Sequence, residues 1–274
     1  MDLNTLITEI KKKKSFLCLG LDSDLSKIPS LLLKDPDPIF SFNKELIDSL
    51  NEIIVAIKIN TAFYEVNGSK GWISLEKTIN YINLKYPKIF TIADAKRGDI
   101  GNTSDKYAKA FFENLSFDSI TVSPYMGSDS VEPFLNYKKK HTILLGLTSN
   151  NGSQDFQNFP NHENSLFKQV LKKSKDWKGS NRLMYVIGAT KSDHLKEIRS
   201  IIPDSFLLVP GVGTQGGSLK ETFENGANKD IGLLVNSSRA IIYAGNGDNY
   251  LKRSYDVAKS YQLEMKDMLN TLDD

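Results

Sequence analysis

The stretch Thr91-Ile-Ala-Asp-Ala-Lys-Arg-Gly-Asp-Ile100 decides how the rest of this chain is interpreted. A short apolar run, typical of a buried strand, leads directly into Asp94, Lys96 and Asp99, which form the pattern D-x-K-x-x-D. Residues two apart on a strand share a face, so Asp94 and Lys96 are predicted to project into one space. Opposite charges at a strand end are costly to bury unless they are paired, which favours a functional site. The alternative is a solvated surface ion pair.

Apolar runs of this kind alternate with helix-like segments along the whole chain. Eight runs are predicted to be buried strands: 16–21, 54–59, 90–93, 119–122, 142–146, 183–187, 206–209 and 233–235. Helical periodicity separates them, from Ile39–Leu50 to a closing helix over Tyr250–Leu272. Buried strands joined by helical crossovers imply a parallel sheet that is covered on its outer face.

Eight strand–helix units favour a closed barrel over an open doubly wound sheet. No G-x-G-x-x-G follows the first strand, so the main sign of a dinucleotide-binding sheet is missing. The sequence therefore predicts one domain over residues 1–274, a single (β/α)8 TIM barrel with an N-terminal helix. The longest irregular stretch, residues 149–164, is predicted to be a functional lid or a disordered loop.

Composition narrows the class of protein. Of the 274 residues, 40% are apolar and 25% are charged, which is typical of a soluble protein with one substantial core. The net charge of +2 is too small to indicate nucleic-acid binding, and no segment has the length of a membrane span or the pattern of a signal peptide. A cytoplasmic protein is expected.

Cysteine and histidine supply no metal or nucleophile motif. The single cysteine, Cys18, lies in an apolar run and is predicted to be a buried core thiol. His141, His162 and His194 show no metal-ligand spacing and are predicted to lie on the surface. The chemistry is therefore expected to use carboxylates and amines, with no metal and no cofactor.

Active sites of (β/α)8 barrels are built at the C-terminal ends of the strands. Several polar residues end or follow the predicted strands and would share that rim: Asp22, Lys58, Asp94, Lys96, Ser149, Gln215 and Arg239. The glycine-rich run 210–217 offers backbone N–H groups to an anion, and the Arg239 guanidinium matches phosphate oxygens. A phosphate site at Gln215 and Arg239 is therefore predicted. The alternative is a glycine-rich turn beside a surface arginine.

Lys58 is the polar residue of the apolar run Val55-Ala-Ile-Lys-Ile59. If buried, its ammonium must find a carboxylate partner or lose its charge, and Asp94 is the predicted partner. Schiff-base chemistry at Lys58 would require a lowered pKa, whereas neighbouring carboxylates raise the pKa of an amine. A charged, electrostatic role is therefore favoured.

Three motifs in the same order resemble the orotidine 5′-phosphate decarboxylase family, in its longer second subfamily: Val55-Ala-Ile-Lys58, Asp94-Ala-Lys-Arg-Gly-Asp-Ile-Gly-Asn-Thr103 and Pro210-Gly-Val-Gly-Thr-Gln-Gly-Gly217. The resemblance implies decarboxylation of orotidine 5′-phosphate, without a cofactor, in de novo pyrimidine biosynthesis. It also implies that Lys96 donates the proton.

The same resemblance implies the remaining roles. Lys58, Asp94 and Asp99 would complete an alternating array of charges around Lys96. Asp22 and Thr103 match ribose-contacting positions, Ser149 matches a pyrimidine-contacting serine, and Gln215 and Arg239 match the phosphate site. Asp99 and Thr103 reach across to the partner's site in the family, so a homodimer with shared sites is implied.

Two alternatives remain open at this stage. Metal-dependent phosphosugar decarboxylases and aldolases share D-x-K-x-x-D, but they place an acidic metal ligand near the end of the second strand. This chain has Ile57-Lys58-Ile59 there, although Glu65 lies close by. The other alternative is a non-catalytic barrel that binds a phosphate ligand, because fold does not imply function.

Overall fold

The structure, a computed structural model, describes residues 1–212 and 216–273. Eight strands form a closed barrel in chain order. They are β1 (Leu17–Gly20), β2 (Ala56–Asn60), β3 (Phe90–Arg97), β4 (Ser119–Val122), β5 (His141–Leu147), β6 (Leu183–Ile187), β7 (Leu207–Pro210) and β8 (Leu233–Ser237). The predicted (β/α)8 fold is confirmed, and each predicted strand overlaps an observed one.

Helices occupy the connections. They are α1 (Leu3–Lys13), α2 (Pro38–Leu50), α3 (Ala62–Glu65), α4 (Gly68–Lys85), α5 (Gly101–Lys109), α6 (Ser128–Leu135), α7 (Ser153–Phe156), α8 (Leu166–Ser174), α9 (Leu195–Ile201), α10 (Leu219–Gly226), α11 (Arg239–Ile242) and α12 (Tyr250–Asp273). In the described part of the chain, none of them is long and apolar enough to cross a membrane.

The strands are buried because their sequences are apolar on both faces, as parallel strands covered by helices require. Every residue of β1 and of β6 is buried. The parallel register between β2 and β3 pairs Lys58 with Ile92 and Asn60 with Asp94. Asp94 therefore shares a face with the residue that lies opposite Lys58, because residues two apart on a strand point the same way.

Asp37 fixes the start of α2 and ties it to α4. Its carboxylate accepts hydrogen bonds from the Phe40 N–H at 3.1 Å and from Ser74 Oγ at 2.7 Å. Lys77 Nζ lies 2.9 Å from the other carboxylate oxygen. Pro38 occupies the first turn, where a missing N–H costs nothing. One carboxylate thus serves as an N-cap and joins two helices.

The chain divides into two compact units, with a boundary inside β3 between Ala95 and Lys96. The first comprises residues 1–95, 115–117 and 236–274, and the second comprises residues 96–114 and 118–235. Each has fully buried aromatic side chains, such as Phe16 and Phe42 in the first and Phe134 and Tyr185 in the second. The prediction of a single domain stays a prediction.

Candidate active site

A buried lysine between two carboxylates forms the centre of the candidate site in the first unit. Lys58 Nζ lies 2.9 Å from Asp94 Oδ2 and 3.7 Å from Asp22 Oδ1. The three side chains are 6%, 10% and 17% exposed for Lys58, Asp94 and Asp22 respectively. The predicted pairing of Lys58 with Asp94 is confirmed, and Asp22 is an additional neighbour.

The two carboxylates keep Lys58 charged. Burial by itself would lower the pKa of Lys58, but the negative charges of Asp94 and Asp22 and the hydrogen bond to Asp94 outweigh it. The pKa of Lys58 is therefore raised above its usual value. A nucleophilic amine requires the opposite shift, so the geometry disfavours Schiff-base chemistry at this residue.

The end of β1 lies directly against the end of β8. A Cβ on Gly20 would lie 2.6 Å from Ser238 Cβ and 3.1 Å from Asn236 Oδ1, so only glycine fits here without a shift of the backbone. Asn236 Oδ1, Ser238 Oγ and Asp22 Oδ1 are buried and have no hydrogen-bond partner among the described residues. Because buried polar atoms are normally paired, these atoms are candidate contacts for a polar ligand.

In the second unit, Lys96 is exposed and stands at a kink of β3. Its backbone has a φ of 47°, in the left-handed region, and its N–H donates to Thr121 Oγ1 at 2.9 Å. Simple alternation along an extended strand does not apply at a residue with this conformation. Strand alternation therefore does not support the predicted direction of the Lys96 side chain, and the assignment of Lys96 to the site stays a prediction.

Asp99 lies in the short connection between β3 and α5. Its N–H donates to Ser104 Oγ at 3.1 Å, its carbonyl accepts from the same hydroxyl at 2.7 Å, and its carboxylate accepts from the Ile100 N–H at 2.7 Å. A Cβ on Gly98 would lie 3.1 Å from the Ser123 carbonyl oxygen. This close approach favours glycine at position 98. Thr103 is exposed in the first turn of α5.

Ser149 follows β5 and is half-buried. Its predecessor Thr148 is held by the side chain of Gln157, in the stretch predicted to be a lid. The Thr148 N–H donates to Gln157 Oε1 at 2.8 Å, and Gln157 Nε2 donates to Thr148 Oγ1 at 2.8 Å. Sequence reasoning missed Gln157, because no local pattern marks a contact between residues nine apart in an irregular loop.

Two residues are predicted to bind phosphate, Gln215 and Arg239. Gln215 lies outside the described residues. Arg239 is exposed and is the first residue of α11, directly after β8. Gly211 and Gly216, on either side of the part not described, have φ values of 97° and 84°, which favour glycine.

The position of one histidine differs from the prediction. His141 is only 7% exposed, so its predicted surface position is wrong: it opens β5, a strand buried along most of its length. His162, His194 and Glu197 come together with possible ligand atoms within 4.8 Å of one another, which no sequence spacing indicated. Lys168 Nζ lies 2.5 Å from Glu197 Oε1 and 3.3 Å from His162 Nδ1. The Lys168 ammonium thus already contacts two of the three possible ligands. Glu65, the alternative acidic metal ligand, lies in α3 and not at the end of β2.

The known proteins that this chain resembles in sequence and in structure belong to one family. The model of the orotidine 5′-phosphate decarboxylase / HUMPS family matches residues 15–253. Orotidine 5′-phosphate decarboxylase of Flavobacterium johnsoniae is 59% identical over 271 residues, covering 99% of this chain and 99% of the relative. The enzyme of Christiangramia forsetii is 57% identical over 272 residues, covering 99% of this chain and all of the relative. The solved OMP decarboxylase of Leishmania donovani has a TM-score of 0.81 and 32% identity, with 97% of this chain and 99% of that chain covered.

Proposed function

The chain belongs to the orotidine 5′-phosphate decarboxylase / HUMPS family, and from this membership we propose how its charged residues carry out the reaction. That reaction is the decarboxylation of orotidine 5′-phosphate to uridine 5′-phosphate and CO2 in pyrimidine biosynthesis. The observation that carries the mechanism is the buried cluster in which Lys58 lies between Asp94 and Asp22.

Asp94 acts on the substrate carboxylate by repulsion. Two negative charges held together destabilise the bound substrate, and the repulsion disappears as CO2 departs. The bond from ring carbon C6 to the carboxylate breaks, and its electron pair stays on C6. A neighbouring ammonium attracts this carbanion, and the attraction strengthens as negative charge builds up on C6. Only interactions that are stronger in the transition state than in the bound substrate raise the rate of the chemical step.

Lys96 completes the reaction by donating a proton from its ammonium to C6. The amine that results regains a proton from solvent, so no group is consumed. Lys96 follows Asp94 by two positions in β3. Its side chain is exposed, and a proton donor must be accessible to the substrate. Each step uses groups on this chain and the substrate, and we therefore propose that neither a metal nor a cofactor takes part.

Binding energy from the rest of the nucleotide holds the reacting carboxylate in this unfavourable position. We assign the phosphate to Gln215 and Arg239, the ribose to Asp22 and Thr103, and the pyrimidine to Ser149. Such remote contacts can offset repulsion at the reacting centre. The guanidinium of Arg239, at the exposed start of α11, supports the phosphate assignment.

We propose a homodimer in which Asp99 and Thr103 contribute to the partner's site. Ile100, between them, is 61% exposed. Tyr125 and Met126 follow Ser123, whose N–H donates to the Arg97 carbonyl at 2.8 Å, and they are 81% and 49% exposed. Large exposed apolar side chains beside a functional loop fit a surface that a second copy covers. Mixing inactive Lys96→Ala and Asp99→Ala proteins should restore about a quarter of wild-type activity, because half of the dimers would then carry one intact site. A mixture that stays inactive would refute shared sites.

A cytoplasmic location is part of the proposal. Cys18 is a buried free thiol, which fits a reducing compartment.

The decisive experiment follows the ultraviolet absorbance of orotidine 5′-phosphate in the presence of EDTA. Wild type and Lys139→Ala, an exposed lysine in front of β5, are expected to turn over at similar rates. Lys96→Ala is expected to lose at least about 100-fold in kcat. If EDTA abolishes turnover and magnesium restores activity on a phosphosugar, the metal-dependent alternative replaces this proposal.

A further inference from the structure

The hydroxyl of Tyr243 bridges two backbone groups on either side of Ser23. It donates to the Asp22 carbonyl at 3.0 Å and accepts from the Asp24 N–H at 2.7 Å. Both bonds belong to the connection after β1, which carries the Asp22 carboxylate toward Lys58. Tyr243 therefore fixes the backbone on which Asp22 stands.

The ring of Tyr243 packs against a buried aromatic side chain. It stacks on Phe42 with centroids 5.9 Å apart and planes 10° from parallel. Burial raises the pKa of Tyr243 to about 12, so the hydroxyl keeps the proton that it donates to Asp22. Phe42 is fully buried in α2, and the tyrosine thus rests on a fixed surface.

Tyr243 also stands immediately after α11, whose first residue is Arg239. One short helix therefore connects the arginine assigned to the phosphate with the tyrosine that holds the Asp22 backbone. Other bonds hold the same connection, from Tyr64 Oη to the Leu21 carbonyl at 3.3 Å and from Ser23 Oγ to Asn43 Oδ1 at 2.6 Å, but neither originates from the segment after β8.

We propose that Tyr243 is a positioning residue for the decarboxylation: its hydroxyl sets the position of Asp22 beside Lys58 and links that position to the α11 segment that carries Arg239. The inference rests on the proposed role of Asp22. Sub-ångström placement of such groups strongly affects rate, so loss of two hydrogen bonds at this point should reduce catalysis.

The chain offers a matched control in Tyr250. Its ring also packs against Phe42, with centroids 5.7 Å apart, and it is 2% exposed. Its hydroxyl, however, donates to Glu45 on α2 and not to the β1 connection. Tyr250→Phe thus removes a hydroxyl from the same aromatic cluster and leaves the Asp22 backbone bonds in place.

The experiment compares Tyr243→Phe, Tyr250→Phe, Asp22→Asn and the double variant Asp22→Asn/Tyr243→Phe, with kcat, KM and thermal midpoint measured for each. Tyr243→Phe is expected to lower kcat/KM about tenfold and Tyr250→Phe less than about twofold. In the Asp22→Asn background, Tyr243→Phe is expected to add less than about a further twofold, because the group it positions has lost its charge. Phenylalanine keeps the stack on Phe42, so the variant is expected to fold, and the thermal midpoint checks this.

Each other outcome has a separate meaning. Equal activity of Tyr243→Phe and Tyr250→Phe would overturn the inference, as would an undiminished tenfold loss in the Asp22→Asn background, which would make Tyr243 a general structural residue. If Asp22→Asn alone keeps wild-type turnover, it is the proposed role of Asp22 that fails. Absence of turnover by wild type would refute the proposed function itself.

Discussion

Lys58 donates a 2.9 Å hydrogen bond to Asp94, and both side chains are withdrawn from solvent. The adjacent strands β2 and β3 create the pair, because their register places Asp94 diagonally across from Lys58. The strand register thus fixes the two charges relative to each other. Stabilisation by preorganised charges is usually the largest single contribution to enzymatic rate enhancement.

Removing the Lys58 ammonium should cost both stability and activity. Lys58→Met leaves Asp94 buried without that cation, and the free energy of unfolding is expected to fall by about 3 kcal/mol. Lys44, which lies 3.1 Å from Asp48 and is 44% exposed, provides the control, since Lys44→Met at a surface pair should cost less than about 1 kcal/mol. Urea denaturation measures both. Equal losses for the two variants would contradict the conclusion that the Lys58 ammonium stabilises the buried Asp94 carboxylate.

Cys18 should be inert in the folded protein and should make stability fall at alkaline pH. Burial raises the pKa of Cys18 from 9.0 to about 12. Between these values the unfolded chain releases the thiol proton and the folded protein does not, so stability decreases as pH rises, by at most about 1.4 kcal/mol per pH unit. Urea denaturation from pH 8 upward should therefore show a steeper decline for wild type than for Cys18→Ala. A native thiol that reacts readily with alkylating reagents at neutral pH would argue against this burial.

The Asp37 carboxylate should stabilise the protein only at a pH at which it is ionised. Burial would raise the pKa of Asp37, but hydrogen bonds from Ser74, Lys77 and the Phe40 N–H outweigh it and lower the pKa below 3.8. Its contribution is therefore present above pH 3.8 and is lost as the pH falls through the lower, folded-state value. Asp37→Ala is expected to cost about 1 kcal/mol at neutral pH.

Asp2 is the comparison for this prediction, because it caps α1 from an exposed position, where its carboxylate accepts from the Thr5 N–H at 2.8 Å. Asp2→Ala should cost less than Asp37→Ala in thermal unfolding at pH 7. The difference between wild type and Asp37→Ala should close below pH 3.8. A difference that persists unchanged in acid would show that the carboxylate charge is not what stabilises the two helices.

Gln157 should determine how firmly residues 149–164 are held. Its side chain makes two hydrogen bonds to Thr148, which attach this stretch to the end of β5, next to Ser149. Gln157→Ala is expected to raise KM about threefold to tenfold and to speed proteolysis within the stretch, because loss of these bonds frees the backbone. Asn158→Ala removes a side-chain bond to Gln154 and should leave both quantities near wild type. If the two variants have the same KM and the same rate of proteolysis, the bonds from Gln157 to Thr148 do not contribute to substrate binding.

The sequence was sufficient to predict the barrel and the centre of the site for a simple reason. Strands that are buried on both faces need continuous apolar runs, so the polar residues that interrupt them stand out. Lys58 and Asp94 are such interruptions, on consecutive strands, and neighbouring strand ends meet at one rim. Their contact therefore followed from topology alone.

Other features depended on contacts that no local pattern encodes. Neither the lysine at position 96 nor its neighbours in the sequence indicate a left-handed backbone there. Such conformations are uncommon for residues other than glycine. Tyr243 reaches Asp22 across 221 positions of sequence, and Gln157 reaches Thr148 from within an irregular loop. His141 was misjudged because a polar residue at a strand start gives no sign of its depth.

The close approach of Gly20 to Ser238 has a consequence for how this protein can vary over evolutionary time. Any side chain at position 20 would collide with the residue immediately before Arg239. The two positions are therefore expected to change only together, with a smaller residue at 238 permitting alanine at 20. A related gene that carries a large residue at position 20 beside an intact D-x-K-x-x-D motif would be a sound candidate for a copy that has lost its activity.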